Sequence, residues 1–325
     1  MAWTAPGLPG RQGADTAMIP VTGTQYTIGA GDYEAVVTGL GAGLRTLNHR
    51  GRGVLDGYPS DELPPGAAGQ LLLPWPNRVD GGRYAIAGTS YQLDLSEPRA
   101  GNAIHGLTRW STWSLARRSR HEVWLSLALL GHAGYPFCIQ IEVGYHLDPD
   151  TGLRCTVTAH NTGSRPAPYG AGAHPYLSTG VSVDECRLEL PAARWLPTDS
   201  RGIPDGPLSD VTGTELDFRA GALVGTTRLD HSFTGLTRDS EGRAWARLTG
   251  GSVQVTLWAG PGYGWLQAFS GDTLAPGRRR RALAVEPMTC PPNAFASGTD
   301  LLVLDPGDAV THTWGIAVSD APATG

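Results

Sequence analysis

Residues 137–145 read FCIQIEVGY, and apolar side chains recur at every second position from Ile139 to Tyr145. A period of two places these side chains on one face of a β-strand. Residues 153–160, LRCTVTAH, repeat the alternation after the connection LDPDTG at 147–152. Because Asp, Pro and Gly favour tight turns, the two stretches predict an antiparallel hairpin.

Strand patterns of this kind recur along the chain, at 33–38, 122–130, 252–258 and 313–318, and convincing amphipathic helices are scarce. The 45 glycines and 25 prolines are scattered, as in chains with many strands joined by turns. We therefore predict an all-β fold, a large antiparallel β-sandwich that forms a single domain over residues 18–325. Residues 1–17, rich in Gly, Ala and Pro, are predicted to be a mobile N-terminal leader.

The composition excludes several classes of function. A net charge of -5 and a pI near 6.0 give no attraction to phosphate backbones or anionic lipid, so we expect no nucleic-acid and no membrane partner. All 25 basic residues are arginine. Schiff-base and pyridoxal phosphate chemistry need a lysine amine, so any carbonyl chemistry in this chain is acid–base chemistry.

The cysteines Cys138, Cys155, Cys186 and Cys290 are far apart, without a C-x-x-C motif or a histidine pair at metal-ligand spacing. We expect buried free thiols and no metal site. Residues 1–20 lack a cationic start followed by an apolar stretch, and no run approaches the ~18 apolar residues of a membrane-spanning helix. A cytoplasmic protein is predicted.

Four short clusters combine polar residues with glycine or proline in a way that core strands do not: Pro76-Asn77-Arg78-Val79, Gly101 to Gly106 (GNAIHG), Gly172 to Leu177 (GAHPYL) and Val285 to Cys290 (VEPMTC). Together they resemble the aldose 1-epimerase (galactose mutarotase) family, which has N-R, H-G, H-P-Y and late E-P motifs in this order. The resemblance implies the galactose mutarotase-like supersandwich and the interconversion of α and β sugar anomers.

The resemblance also implies roles for particular side chains. His174 is expected to be the general acid and Glu286 the general base, and the apolar neighbours of Glu286 suggest a buried carboxylate. Trp75 is a candidate either for covering an apolar sugar face or for the core. The expected sugar-binding residues are Asn77, Arg78, His105, Tyr176, Asp230 and Gln267.

The reaction needs one proton acceptor at the C1 hydroxyl and one donor at the ring oxygen, so side chains suffice. We therefore expect no cofactor and no metal, a monosaccharide as the small-molecule partner, and a monomer or homodimer. The preferred aldose, the oligomeric state and the pathway do not follow from the sequence.

Several alternatives stay open. After Glu286 the chain departs from the galactose mutarotase pattern, and Arg278 to Arg281 form either a solvated turn or an anion-binding patch. The alternatives are a hexose-6-phosphate or sulfonated-sugar 1-epimerase, a glycoside hydrolase that uses Glu286 with Asp230, and a non-catalytic sugar-binding protein.

Overall fold

A computed structural model of the chain describes residues 19–322. The predicted leader at 1–17 lies outside the described residues, and the single domain from residue 18 stays a prediction. No helix of the described residues is long and apolar enough to cross a membrane.

The described residues are mostly extended, and the only α-helix among them is α1 (Ala294–Ser297). The strands are β1 (Gln25–Ala30), β2 (Tyr33–Thr38), β3 (Leu44–His49), β4 (Arg52–Gly53), β5 (Leu71–Leu72), β6 (Arg78–Asp80), β7 (Arg83–Ile86), β8 (Thr89–Gln92), β9 (Asn102–Ile104), β10 (Ser114–Arg118), β11 (Glu122–Leu129), β12 (Ile139–Asp148), β13 (Gly152–Asn161), β14 (Ala167–Tyr169), β15 (Gly172–Ala173), β16 (Tyr176–Leu177), β17 (Arg187–Glu189), β18 (Ala192–Leu196), β19 (Ser209–Asp210), β20 (Ala222–Leu223), β21 (Asp230–Leu236), β22 (Ala244–Gly250), β23 (Val253–Ala259), β24 (Trp265–Phe269), β25 (Leu283–Met288), β26 (Leu302–Leu304) and β27 (Ala309–Asp320). Four 3-10 turns accompany them: Pro65–Ala67, Thr108–Trp110, Val183–Glu185 and Pro276–Arg278.

Two large antiparallel sheets dominate the fold. The nine-stranded sheet has the order β10-β11-β12-β13-β27-β23-β22-β17-β20. The eight-stranded sheet has the order β19-β18-β21-β24-β25-β15-β5, with β16 also paired to β25. Strands β1 to β4 form a further sheet, and β6 pairs with β9, β7 with β8 and β14 with β26.

The hairpin predicted from residues 137–160 is confirmed. Strands β12 and β13 pair antiparallel with Val143 opposite Val157, and the alternate residues from Ile139 to Tyr145 are buried. The connection is shorter than its sequence suggests, because β12 continues to Asp148. The Asp148 Oδ1 atom then accepts hydrogen bonds from the N–H groups of Asp150 and Thr151, at 3.0 and 2.8 Å, and closes the turn.

One continuous core joins the sheets. The four other predicted strands correspond to β2, β11, β23 and β27, and their apolar faces are buried in this core. Burying one large apolar side chain, such as a leucine or an isoleucine, stabilises a fold by about 1.5 to 3 kcal/mol. The all-β prediction and the large antiparallel architecture are confirmed. Core residues come from the nine-stranded sheet (Val123, Ile141, Leu248), the eight-stranded sheet (Leu71, Phe233, Leu266) and the β1–β4 sheet (Ile28, Val37, Leu47).

Candidate active site

A buried histidine and a buried glutamate contact each other at the centre of the eight-stranded sheet. The His174 Nε2 atom lies 3.3 Å from Glu286 Oε1, and the two side chains are 6% and 3% exposed. The other polar atoms of the pair, His174 Nδ1 and Glu286 Oε2, have no hydrogen-bond partner in the described part of the chain. Buried polar atoms are nearly always paired, so a buried pair with two unpaired atoms marks a candidate functional site.

Burial opposes charge on both members of the pair. Desolvation, with a smaller contribution from the charge of Arg109, lowers the pKa of His174 to about 3. Desolvation and the negative charge of Asp230 raise the pKa of Glu286 well above its usual value, whereas Arg78 acts to lower it. Burial therefore favours a neutral imidazole beside a protonated carboxyl group, so that the pair holds one proton, on Glu286.

Strand register brings the pair together. His174 lies between β15 and β16, which both pair with β25, and its backbone N–H and carbonyl bond to Gln70 and Gly69 at 3.0 and 2.9 Å. Glu286 lies on β25 directly opposite Gln267 of β24, which in turn lies opposite Ser232 of β21. Polar side chains thus form a row across three neighbouring strands.

The H-G motif is hydrogen-bonded to the N-R motif, and both motifs contain residues with a left-handed backbone. Asn77 and His105 have φ values of 54° and 61°, and Gly106 has φ 71°. A Cβ atom on Gly106 would come within 1.9 Å of the Leu73 carbonyl oxygen, so only glycine fits there. The Asn77 N–H donates to His105 Nδ1 at 3.2 Å, and the His105 N–H donates to the Asn77 carbonyl at 2.9 Å.

These contacts determine the form of His105. Because Nδ1 accepts from a backbone N–H, the ring proton is on Nε2. Burial, together with the charges of His174, Arg109 and Arg78, lowers the pKa of His105 well below its usual value. His105 is therefore a neutral hydrogen-bond donor, and its ring lies edge-on to His174 with the centroids 5.4 Å apart.

Polar side chains extend from the pair to the surface. Gln267 is 3% exposed, and its Nε2 donates to Asp230 Oδ1 at 2.7 Å, while its Oε1 accepts from Ser232. Asp230 itself is exposed at the mouth of the site. The Tyr176 ring stacks on His174 at 4.9 Å, and its hydroxyl donates to the Gly66 carbonyl at 2.9 Å.

All eight residues predicted for the site line one cleft with a volume of about 290 Å³, near the lower end of the range for small-molecule sites. They are Asn77, Arg78, His105, His174, Tyr176, Asp230, Gln267 and Glu286. Trp75 does not line this cleft, because it is 2% exposed and packs on Phe295. Of the two roles predicted for it, covering a sugar face or packing in the core, the structure shows the second.

Residues 24–317 match the family model of aldose 1-epimerases. The chain belongs to the aldose 1-epimerase family. This membership was predicted from the four motifs, and the match spans all of them.

Individual relatives agree with the family. The chain is 36% identical over 288 residues to the uncharacterized protein YihR of Escherichia coli K12, covering 88% of this chain and 90% of YihR. It is 28% identical over 155 residues to the aldose 1-epimerase of the same organism, covering 46% of this chain and 44% of that enzyme.

Solved structures show the same fold. A galactose 1-epimerase from Lactobacillus acidophilus superimposes with a TM-score of 0.78 at 20% identity, covering 91% of this chain and 94% of that one. The GalM/aldose epimerase homologue from C. elegans has a TM-score of 0.80 at 20% identity, with 91% and 99% covered. The predicted mutarotase-like β-sandwich of this aldose 1-epimerase family member is thereby confirmed.

Two charged cleft residues were missed by the sequence analysis. Glu97 binds Arg78 through two hydrogen bonds, from Nε at 2.8 Å and from Nη2 at 2.9 Å. Arg109 also lines the cleft, with a weak contact to the Ile104 carbonyl at 3.4 Å and no partner for its Nε. The one sequence signal for Arg109 was its place four positions after His105, just beyond the H-G motif.

The arginine run at 278–281 contacts carboxylates of the chain itself. Arg278 and Arg281 both contact Asp56, at 3.3 and 3.0 Å, and Arg280 contacts Asp272 at 3.0 Å. Within residues 19–322, no member of the run lines the cleft. These ion pairs hold the loop between β24 and β25 in place. They favour the predicted turn over the predicted anion-binding patch.

Three of the four cysteines match the expectation of buried free thiols. Cys155, Cys186 and Cys290 are buried free thiols, and Cys138 is half-buried and also free. Among the residues described, no group of three His, Cys, Asp or Glu side chains is placed to hold a metal ion.

Proposed function

We propose that this chain is an aldose 1-epimerase that interconverts the α and β anomers of a hexose by opening and reclosing the pyranose ring. The observation that supports it best is the contact of 3.3 Å between His174 Nε2 and Glu286 Oε1 in a cleft lined by hydrogen-bonding side chains. The family match supports the same reaction.

The single proton of the pair is the one that the reaction needs. Burial favours this proton on Glu286, so it first moves across the 3.3 Å contact to His174. The Glu286 carboxylate then accepts the proton of the C1 hydroxyl while the imidazolium donates to the ring oxygen. The bond from C1 to the ring oxygen then breaks, and the open aldehyde rotates about C1–C2. Closure on the other face reverses both transfers and returns the proton, so the pair is regenerated in each turnover.

His174 suits the acid role better than His105 does. The proton of His105 belongs to a neutral imidazole whose other nitrogen is bound to a backbone N–H, so its release is unfavourable. The His174 Nε2 atom lies 3.3 Å from a carboxyl oxygen with which it can exchange a proton. We assign His105, with Arg78 and Gln267, to orienting the sugar hydroxyls, because these side chains retain donors in the cleft.

The geometry disfavours the other two classes. A glycoside hydrolase needs a second carboxyl group as acid or nucleophile, but Glu97 is bound by Arg78 and Asp230 by Gln267. A non-catalytic binding protein has no need for a buried His–Glu pair whose remaining polar atoms, His174 Nδ1 and Glu286 Oε2, have no hydrogen-bond partner among the described residues. Burying such groups is unfavourable. Since both steps are proton transfers, we also propose that no metal or organic cofactor takes part.

Anomer exchange tests the proposal directly. Polarimetry or proton NMR of fresh α-glucose and α-galactose, with and without the protein, measures the rate of equilibration. We expect faster equilibration with the wild-type protein and none above background with Glu286→Gln. An exposed glutamate on β2 provides the matched control, Glu34→Gln, which should retain the wild-type rate. Equal rates with and without wild-type protein would end this proposal.

Arg109 favours a second candidate substrate class, a hexose with an anionic group at C6. Arg109 has no carboxylate partner in residues 19–322, and its charge acts on His174, the proposed donor to the ring oxygen. In a pyranose, C6 is attached beside the ring oxygen. A phosphate or sulfonate at C6 would therefore face this guanidinium and form charge-assisted hydrogen bonds.

A comparison of neutral and anionic sugars separates the two candidates. If the substrate is anionic, Arg109→Gln should lower kcat/KM for glucose 6-phosphate or a 6-sulfonate sugar by about thirtyfold or more, and for glucose by about threefold or less. Arg279→Gln, in the exposed part of the arginine run, is the matched control. Equal losses for both sugars would limit Arg109 to a general role in the cleft.

A further inference from the structure

Arg78 enters the cleft with its guanidinium held on two sides. Its Nε and Nη2 atoms donate to Glu97, and the two side chains are 19% and 25% exposed. On another side, a Cβ atom added to Gly202 would come within 2.4 Å of Arg78 Nη1. Two of the five N–H groups are thus committed, and three remain for a ligand.

The Glu97 carboxylate is itself held in place by Asn102. The fully buried Asn102 donates from Nδ2 to Glu97 Oε2 at 3.2 Å and to the Arg201 carbonyl at 3.0 Å. The backbone N–H of Glu97 donates to the Asn102 carbonyl at 2.9 Å. Asn102 begins β9, the strand that pairs with β6 and leads into His105. The carboxylate is therefore fixed to the same unit that carries two cleft residues.

We propose that Glu97 is a positioning residue, which fixes the Arg78 guanidinium in the cleft and offsets its charge toward the His174–Glu286 pair. A two-point contact between a planar guanidinium and a carboxylate sets both the position and the plane of the arginine. Without it, a long flexible side chain would lose rotamer freedom each time a sugar bound. This inference rests on the mutarotase activity proposed above.

The charge argument depends on what surrounds Glu286. The titratable and charged groups that share the cleft with it are His174, Tyr176, Asp230, His105, Arg109, Arg78 and Glu97 itself. Asp230 raises the pKa of Glu286 and Arg78 lowers it. Removing the negative charge of Glu97 leaves Arg78 uncompensated, so the pair should lose its proton at a lower pH.

A double-mutant cycle tests whether Glu97 acts through Arg78. Glu97→Gln keeps the shape but weakens the two-point contact, and we expect KM and the calorimetric Kd for the sugar to rise about tenfold, with kcat changed by about threefold or less. In an Arg78→Gln background, Glu97→Gln should have no further effect. Equal weakening in both backgrounds would show that Glu97 contacts the sugar itself and overturn the proposal.

The pH profile gives a readout that general damage would not move. In Glu97→Gln the alkaline limb of kcat/KM should shift to lower pH by about half a unit to one unit. A lower rate at every pH with an unmoved limb contradicts the charge argument. The matched control is Glu142→Gln, which breaks an exposed ion pair with Arg117 on the nine-stranded sheet (3.0 Å) and should change neither KM nor the limb.

A second variant approaches Arg78 from the other side. Gly202→Ala places a methyl group against Nη1, at a turn position with φ 73° that disfavours a side chain. KM should therefore rise as in Glu97→Gln while Glu97 stays intact, and unfolding curves report the separate effect on the turn. A wild-type KM in Gly202→Ala would contradict the need for precise placement. Calorimetry measures sugar affinity through the double-mutant cycle even if the protein shows no anomer exchange. Failure of the proposed mutarotase activity can therefore be distinguished from failure of this inference.

Discussion

Replacing Glu286 with glutamine removes the proposed base together with the charge that it would carry. The side chain is 3% exposed, and its Oε2 atom has no hydrogen-bond partner in residues 19–322. The amide keeps the shape and leaves an oxygen acceptor for His174. We therefore expect the Glu286→Gln protein to fold and to bind sugar, but to lose turnover by about 10²- to 10⁴-fold, about 3 to 5 kcal/mol.

The same substitution changes how stability depends on pH. A glutamate in an unfolded chain titrates near pH ~4.3, whereas burial raises the pKa of Glu286 well above its usual value. The native state thus keeps a proton that the unfolded chain has released, and the contribution of Glu286 to wild-type stability falls as pH rises. Glutamine lacks this group. The free energy of unfolding of the variant, relative to wild type, should rise by about 1.4 kcal/mol per pH unit from about 4.3 up to the pKa of Glu286.

Two measurements on one preparation check both expectations. NMR exchange at anomeric equilibrium gives turnover, and denaturant unfolding at several values between about pH 5 and pH 8 gives the stability difference. Glu34→Gln, on the exposed side of β2, should show wild-type turnover and no pH-dependent difference. A Glu286→Gln protein with more than about a tenth of wild-type turnover and a flat stability difference would refute the reasoning.

Three further predictions concern the acid, a core histidine and metals. His174→Asn should lower turnover by about 10²- to 10⁴-fold while sugar affinity changes by about tenfold or less, because the acid acts in the transition state; weakened affinity with unchanged turnover would reassign His174 to binding. His312 is 4% exposed, has no partner for either ring nitrogen among the described residues, and has a pKa that burial lowers to about 4. Its neutral form stabilises the protein above pH ~6.5, and that stability is lost as pH falls toward 4. His312→Phe should therefore reduce the loss of stability in acid by up to about 3 kcal/mol, measured from unfolding curves. An unchanged dependence of stability on pH would contradict this role of His312. Dialysis against EDTA should leave anomer exchange unchanged, and a rate that fell and returned with a divalent ion would contradict a cofactor-free reaction.

Much of the site could be predicted because its residues lie in short local motifs. Asn77, His105 and His174 each lie beside a proline or a glycine. These two residue types have special backbone conformations, so they can be recognised in the sequence. Gln267 was harder. An alternating strand would place it toward solvent, but four of the five residues of β24 are buried, because this strand lies inside the eight-stranded sheet and is covered on both faces.

Glu97, Arg109 and the arginine run show what local patterns leave out. Glu97 matters through a contact with Arg78, and the run at 278–281 is explained by Asp56, which is far away in the sequence. Charged residues look alike in sequence whether they contact a ligand, a distant carboxylate or water. Only the partner distinguishes these cases.

The amino-acid sequence was enough to predict the longer strands, the all-β fold and the family, because alternation and motifs depend on neighbours along the chain. Through the family resemblance it also indicated eight of the side chains that line the cleft. It also excluded lysine chemistry outright. Three features follow only from the folded structure: His174 and Glu286 contact each other, both are shielded from water, and Trp75 belongs to the core. These facts depend on strand register and on packing between distant segments, which set both distance and desolvation.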